Sequence, residues 1–264
     1  MPDAPLQTLV LDDAGPVARV TLARPDVRNA IDATMIDELA RVFRGLADRA
    51  DVRAVTLTGH GAVFCAGADL TWMRSARDAT YDENLAGAGR LADMLDAIDR
   101  LPQPVVARVN GPALGGGVGL VAVADVAIAA ASASFSLSEV RLGLVPSAIS
   151  PYVLRRITPA AARRYFVTAE RFDAEEAKLI GLVHEVTADD LDHAVQRVLD
   201  AILAGGPEAV RLAKRIVREV PGLDEIAARD ATTGWIAERR ASAEGQEGMA
   251  AFLEKRRPSW RPEA

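Results

Sequence analysis

The chain is poor in the residues that staple or metallate a fold. Its 264 residues include one cysteine, Cys65, and three histidines, His60, His184 and His193. One thiol cannot close an intramolecular disulfide, and no Cys/His spacing suits a metal, so neither a disulfide framework nor structural zinc is expected. Positive charge is also in deficit. With 37 acidic against 31 basic residues and a net charge of -6, the chain lacks the basic excess of a phosphate-backbone binder, which argues against nucleic acid as a partner. No apolar run reaches the ~20 residues of a membrane span. The most apolar stretch, Gly115 to Ala131, is interrupted by Asp125 and is expected in a buried core. Met1 to Gln7 carries Asp3 and shows neither a basic n-region nor an apolar h-region, so a cytoplasmic location is expected rather than secretion.

What the chain does have is alternating strand and helix patterns. Leu6–Leu11 and Val17–Leu22 read as a hairpin around Asp12–Gly15. From Asp32 the period changes, with Met35, Ile36, Leu39, Val42, Phe43 and Leu46 at helical spacing behind a capping aspartate. Val52–Thr58 and Val105–Val109 are continuous β-branched runs of the kind buried in a parallel sheet, with a helical stripe, Leu85 to Ile98, between them. Asp125–Ala130 and Ser134–Ser136 are further strand candidates, and Val183–Val186 is the one candidate beyond Pro146. Helical stripes recur at 191–203, 207–220, 223–239 and 246–256. This is an α/β core followed by a helical carboxyl region, with a boundary expected at Gly205–Gly206–Pro207 that separates residues 1–204 from 205–264.

Two loops that follow strands could carry chemistry. One is FCAGADL from Phe64, the other NGPALGGGVGL from Asn110. Three glycines opening a helix present free N–H groups backed by the helix dipole, which suits a carbonyl oxygen or an anion; close packing is the competing reading. A Walker A loop fails for want of Lys-Ser/Thr. Gly117, Gly119 and Ala122 match G-x-G-x-x-A, with Glu139 20 residues beyond Gly119. Against a dinucleotide site, seven residues including Pro112 intervene between the strand end at Val109 and Gly117. Cys65 reads as a buried small hydrophobe, Asp69 as a helix cap and Trp72 as packing.

These two loops, together with the Arg24–Ala30 stretch, FSLSEVRLGLVP from Phe135 and FLEKRRPSW from Phe252, resemble the crotonase (enoyl-CoA hydratase/isomerase) superfamily in order along almost the whole chain. Within it, Ser138–Tyr152 is most similar to bacterial methylglutaconyl-CoA hydratases. The resemblance implies a crotonase-like ββα spiral core with a C-terminal helical oligomerisation region, assembled as a homotrimer or dimer of trimers. It implies an acyl-CoA thioester substrate, with CoA as part of the substrate and no separate cofactor or metal. Reversible hydration is the activity implied, with a single-glutamate isomerase or a noncatalytic acyl-CoA binder as alternatives.

By the same resemblance, the N–H groups of Ala68 and Gly116 hold the thioester oxygen, and Glu139 moves protons. Substrate binding is expected to involve Arg28, Ala66, Asp69, Leu70, Trp72, Gly115, Phe252 and Lys255, with Arg24 also near the CoA entrance and Lys255 reaching CoA in a neighbouring subunit. The apolar neighbours of Glu139, Leu137, Val140 and Leu142, are expected to disfavour its charge. The second hydratase glutamate belongs at position 119, where this chain has glycine. Gly119→Glu is therefore expected to improve hydration of a plain enoyl ester.

Overall fold

A computed structural model describes residues 5–261. The opening hairpin pairs β1 (Leu9–Asp12) antiparallel with β2 (Val17–Leu22). Helix α1 (Ala33–Ala47) starts where Asp32 accepts a hydrogen bond from the Met35 N–H at 2.8 Å, satisfying one orphan donor of the first turn. Its expected stripe, Met35 to Leu46, is buried, each large side chain contributing ~1.5–3 kcal/mol. Glu38 shares that buried face and accepts from the Gln7 and Thr8 N–H groups. The acid thus pins the entry to the first strand.

The chain then lays down β3 (Ala54–Gly59), α2 (Leu70–Asp78), α3 (Tyr81–Asp99), β4 (Val105–Val109), β5 (Ala113–Leu114) and α4 (Gly116–Ala122). Next come β6 (Val126–Ala130), β7 (Ser134–Ser136), a 3₁₀ turn at Ser138–Leu142, α5 (Ser150–Arg156) and α6 (Pro159–Thr168). β8 (Phe172–Asp173), α7 (Ala174–Leu179), β9 (Glu185–Thr187) and α8 (Leu191–Ala204) complete the core. Three helices follow, α9 (Pro207–Glu219), α10 (Glu225–Ala241) and α11 (Ala243–Leu253).

Six strands form one sheet in the order β1-β2-β3-β4-β6-β9, parallel from β2 onward, and β5-β7-β8 form a second. Successive residues of the central strands enter different cores. Val55, Val105, Ala107, Ala127 and Ala129 join the larger cluster with α1 and α3, while Ala54, Val106 and Ile128 pack under Leu191, Val195 and Leu199 of α8. Burial on both faces explains why these strands are continuous apolar runs rather than alternating ones. β5 and β8 went unpredicted because two residues carry no period.

The carboxyl helices are held differently. No residue of α9 or α10 is buried. A polar clasp takes the place of apolar packing: Lys214 Nζ lies 2.7 Å from the Asp125 carboxylate and donates to the Gln103 carbonyl, and Arg211 donates to the Arg49 and Val52 carbonyls. A cavity of about 420 Å³ runs beneath them, lined by Arg100, Lys214, Arg218 and Arg239 among others. It shares no residue with the loops described next. No helix of the described residues is long and apolar enough to cross a membrane.

Candidate active site

The two glycine-rich loops run side by side. Cys65 and Ala113 form a parallel bridge, through Cys65 N–H to the Pro112 carbonyl at 3.1 Å and Leu114 N–H to the Cys65 carbonyl at 2.9 Å. Ala68 lies three residues beyond Cys65 and Gly116 three beyond Ala113. A second parallel bridge, between Ile31 and Ala68, uses Ile31 N–H to the Gly67 carbonyl and Asp69 N–H to the Ile31 carbonyl. In that pattern the N–H of Ala68 itself points away from Ile31. Among the described residues, neither the Ala68 N–H nor the Gly116 N–H has a hydrogen-bond acceptor. Gly116 is the first residue of α4, so its N–H is one of the orphan donors of a helix start.

Each glycine of the triplet has its own task. Gly115 has φ +48° and donates to the Ser136 carbonyl at 2.8 Å; an L side chain is strained there. Gly116 leaves its N–H free among the described residues. Gly117 packs on Cys65, whose carbonyl would lie 2.5 Å from a Cβ at that position. Gly117 and Gly119 are buried inside α4, so the dinucleotide fingerprint is overturned: its glycines serve packing and cannot cradle a phosphate.

The pairing of β5 with β7 sets Leu114 beside Ser136 and so brings the following turn against the triplet. There the Glu139 carboxyl meets Gly115, with Oε1 3.0 Å from where a Cβ would stand. Oε2 is buried without a hydrogen-bond partner among the described residues. Burial raises the pKa of this carboxyl above the ordinary glutamate value. The site therefore unites two unpaired donors with one desolvated acid.

Asp69 caps α2, accepting from the Thr71 and Trp72 N–H groups. Burial alone would raise its pKa, but these bonds and Arg24 outweigh it and hold the carboxyl below the usual range. Arg24 lies 3.1 Å from both Asp32 and Asp69 and donates to the Ala30 carbonyl. It thus ties the caps of α1 and α2 together. Asn29, fully buried at φ 55°, donates to the His60 and Val63 carbonyls, and Asn110 braces the same segment through Gly59 and Gly61. Sequence reasoning passed over these braces, although Asn is one of the few residues that tolerates left-handed backbone.

Of the other expected residues, Ala66 spends its N–H on the Arg28 carbonyl. Arg28 is exposed and forms no ion pair among the described residues. Leu70 is exposed at the start of α2, and Trp72 is half-buried against the main core. Phe252 and Lys255 stand exposed at the end of α11, and among the described residues no hydrogen bond of that tail reaches the two loops. It folds instead onto α8, where Trp260 Nε1 donates to the Ala204 carbonyl and Arg53 grips the Trp260 and Gly205 carbonyls. Cys65 is buried with its thiol pushed up to about 12 by desolvation, an inert sulfur as expected. No group of three or more potential metal ligands occurs among the described residues.

The chain is similar to known proteins. Residues 12–263 match the family described as Enoyl-CoA hydratase/isomerase. YngF of Bacillus subtilis, named within that same class, is 38% identical over 250 residues, covering 91% of this chain and 93% of that one. The crystal structure of an enoyl-CoA hydratase from Shewanella pealeana superposes with a TM-score of 0.93 at 42% identity, covering 97% and 96% of the two chains. Pseudomonas aeruginosa AtuE superposes at 0.94 with 39% identity, covering 97% and 100%. The chain belongs to the enoyl-CoA hydratase/isomerase family.

Proposed function

We propose that the chain hydrates an α,β-unsaturated acyl-CoA reversibly, and that its substrate has a carboxylated acyl group, as methylglutaconyl-CoA does. The observation that carries this reading is the Glu139 carboxyl seated on Gly115 beside the unpaired Gly116 N–H. With the thioester oxygen between the Ala68 and Gly116 N–H groups, the charge that develops on it has donors already in place. Such a donor is worth about 3 kcal/mol. Glu139, as carboxylate, takes a proton from water while the water oxygen bonds to the β-carbon and the double-bond electrons move toward the thioester. The protonated Glu139 then returns a proton to the α-carbon, the thioester regains its carbonyl and the carboxylate is restored. Every atom of water ends in the product, and the chemistry needs neither a metal nor a redox cofactor.

Exposed Arg28 and Lys255 are the cations we assign to the CoA phosphates, Lys255 across a subunit boundary. The carboxyl helices support an oligomer, since no residue of α9 or α10 is fully buried on its own chain while Val217, Ile226, Phe252 and Leu253 are each at least 75% exposed. We therefore place residues 205–264 in a trimer or a pair of trimers. One observation favours a second reading: with glycine at 119 a single acid faces the substrate, which suffices for double-bond migration. Product analysis with a panel of crotonyl-, 3-enoyl- and methylglutaconyl-CoA decides. A 3-hydroxyacyl product fastest from the carboxylated ester supports the proposal, and double-bond migration without hydration overturns it.

A further inference from the structure

Position 119 is filled by a different element. Gly119 N–H bonds to the Gly115 carbonyl, so the two residues stand one helical turn apart on the same face of α4. Glu139 rests on Gly115. On Gly119 rests Ile149, whose Cγ2 would lie 2.3 Å and Cβ 3.0 Å from a Cβ at that position, with Leu95 Cδ2 behind at 3.7 Å. Ile149 is only 2% exposed and begins α5, its carbonyl accepting from the Tyr152 and Val153 N–H groups. Acid and isoleucine are therefore neighbours along one face, about 6 Å apart by helical rise.

We propose that Ile149 is the specificity-determining wall of the acyl site: seated on Gly119, it occupies the space a second catalytic carboxylate would need and limits the bulk at the β-carbon to a single branch. An acyl chain with its oxygen at Gly116 and its reacting carbons by Glu139 meets Ile149 next along α4. The isoleucine is held in place, because it is buried in the main core and its backbone caps α5. This overturns the expectation that Gly119→Glu by itself improves hydration, since the new side chain would collide with Ile149.

The inference rests on the acyl-CoA reading, so its test includes a measurement that needs no turnover. Calorimetry on the full-length protein compares saturated 3-methylbutyryl-CoA with 3,3-dimethylbutyryl-CoA. Ile149→Ala is expected to shift the affinity ratio toward the bulkier ester about tenfold, the scale of a methyl in an apolar pocket. Ile149→Val, a gentler change, shifts it the same way by about fourfold and serves if the alanine variant does not fold. An unchanged ratio in a folded variant, with both esters bound, overturns the wall and leaves the acyl-CoA reading standing. A wild-type chain that binds neither ester removes both. In turnover, Gly119→Glu should gain crotonyl-CoA hydration only when combined with Ile149→Gly, which clears both clashing atoms. A gain in the single variant overturns the wall.

Discussion

The Glu139 carboxyl lies against the α-carbon of Gly115, so close that a methyl group there would come within 3.0 Å of Oε1. The contact is possible only because residue 115 is glycine at positive φ. It sets the acid one residue from the free Gly116 donor. Gly115→Ala should therefore displace the carboxyl and strain the turn at once, lowering kcat by about 10²-fold, the scale of a mispositioned acid or base. Steady-state kinetics on variant protein with native circular dichroism checks this; unchanged kcat would separate Glu139 from the chemistry.

Replacing Glu139 by glutamine keeps shape and removes charge. Turnover should fall at least about 10²-fold while affinity for a CoA ester persists. Because the folded carboxyl has a raised pKa, its favourable contribution to stability is complete below the unfolded glutamate pKa and is lost as pH rises through the folded value. Glu139→Gln should accordingly raise the melting temperature at pH 8 and have little effect at pH 4, as calorimetric scans would show.

The same raised pKa fixes the acid limb of the activity profile. Glu139 must be ionised to accept a proton from water, so kcat/KM should decline as pH falls through a value above that of an ordinary glutamate. A limb at or below the ordinary value would show that Glu139 is not the group titrating.

Asp69 separates cap from charge. Asp69→Asn retains an oxygen for the Thr71 and Trp72 N–H groups and should preserve most of the stability, whereas Asp69→Ala loses the cap, at about 1 kcal/mol, and leaves Arg24 with Asp32 alone. Urea unfolding of the two variants should rank them in that order. Equal losses would mean that the ion pair, not the cap, holds the loop.

Lys255→Ala and Phe252→Glu probe the tail independently. The first should weaken CoA-ester binding without altering sedimentation. The second, introducing charge at an 83% exposed apolar side chain, should shift the assembly toward smaller species.

Much of the fold was visible in local chemistry. The Asp32 and Asp69 caps, the α1 stripe and the β-branched runs are decided by neighbours within a few residues, so they can be read along the chain. What escaped was set by contacts between distant segments. Arg24 looks like any surface cation until Asp32 and Asp69 are folded onto it. Glu38 sits in a helix between apolar residues, and nothing nearby announces that Thr8 will claim it. The role of Gly119 could be recognised as a departure, but Ile149, 30 residues away, became its partner only through the packing of α4 against α5. Donors supplied by the backbone are anonymous in sequence, and motif resemblance was needed to single out Ala68 and Gly116.

The Cys65–Ala113 bridge makes the donor pair a matter of counting. Both N–H groups are placed by main-chain register, three residues downstream of a shared rung, and no side chain takes part in aiming them. Divergence can therefore repaint residues 66 and 114 freely while the donors stay put. A one-residue insertion or deletion between rung and donor, on either strand of the pair, would rotate one N–H out of the site while its counterpart stayed behind. At these two positions the placement of the donor pair depends on length rather than on letters.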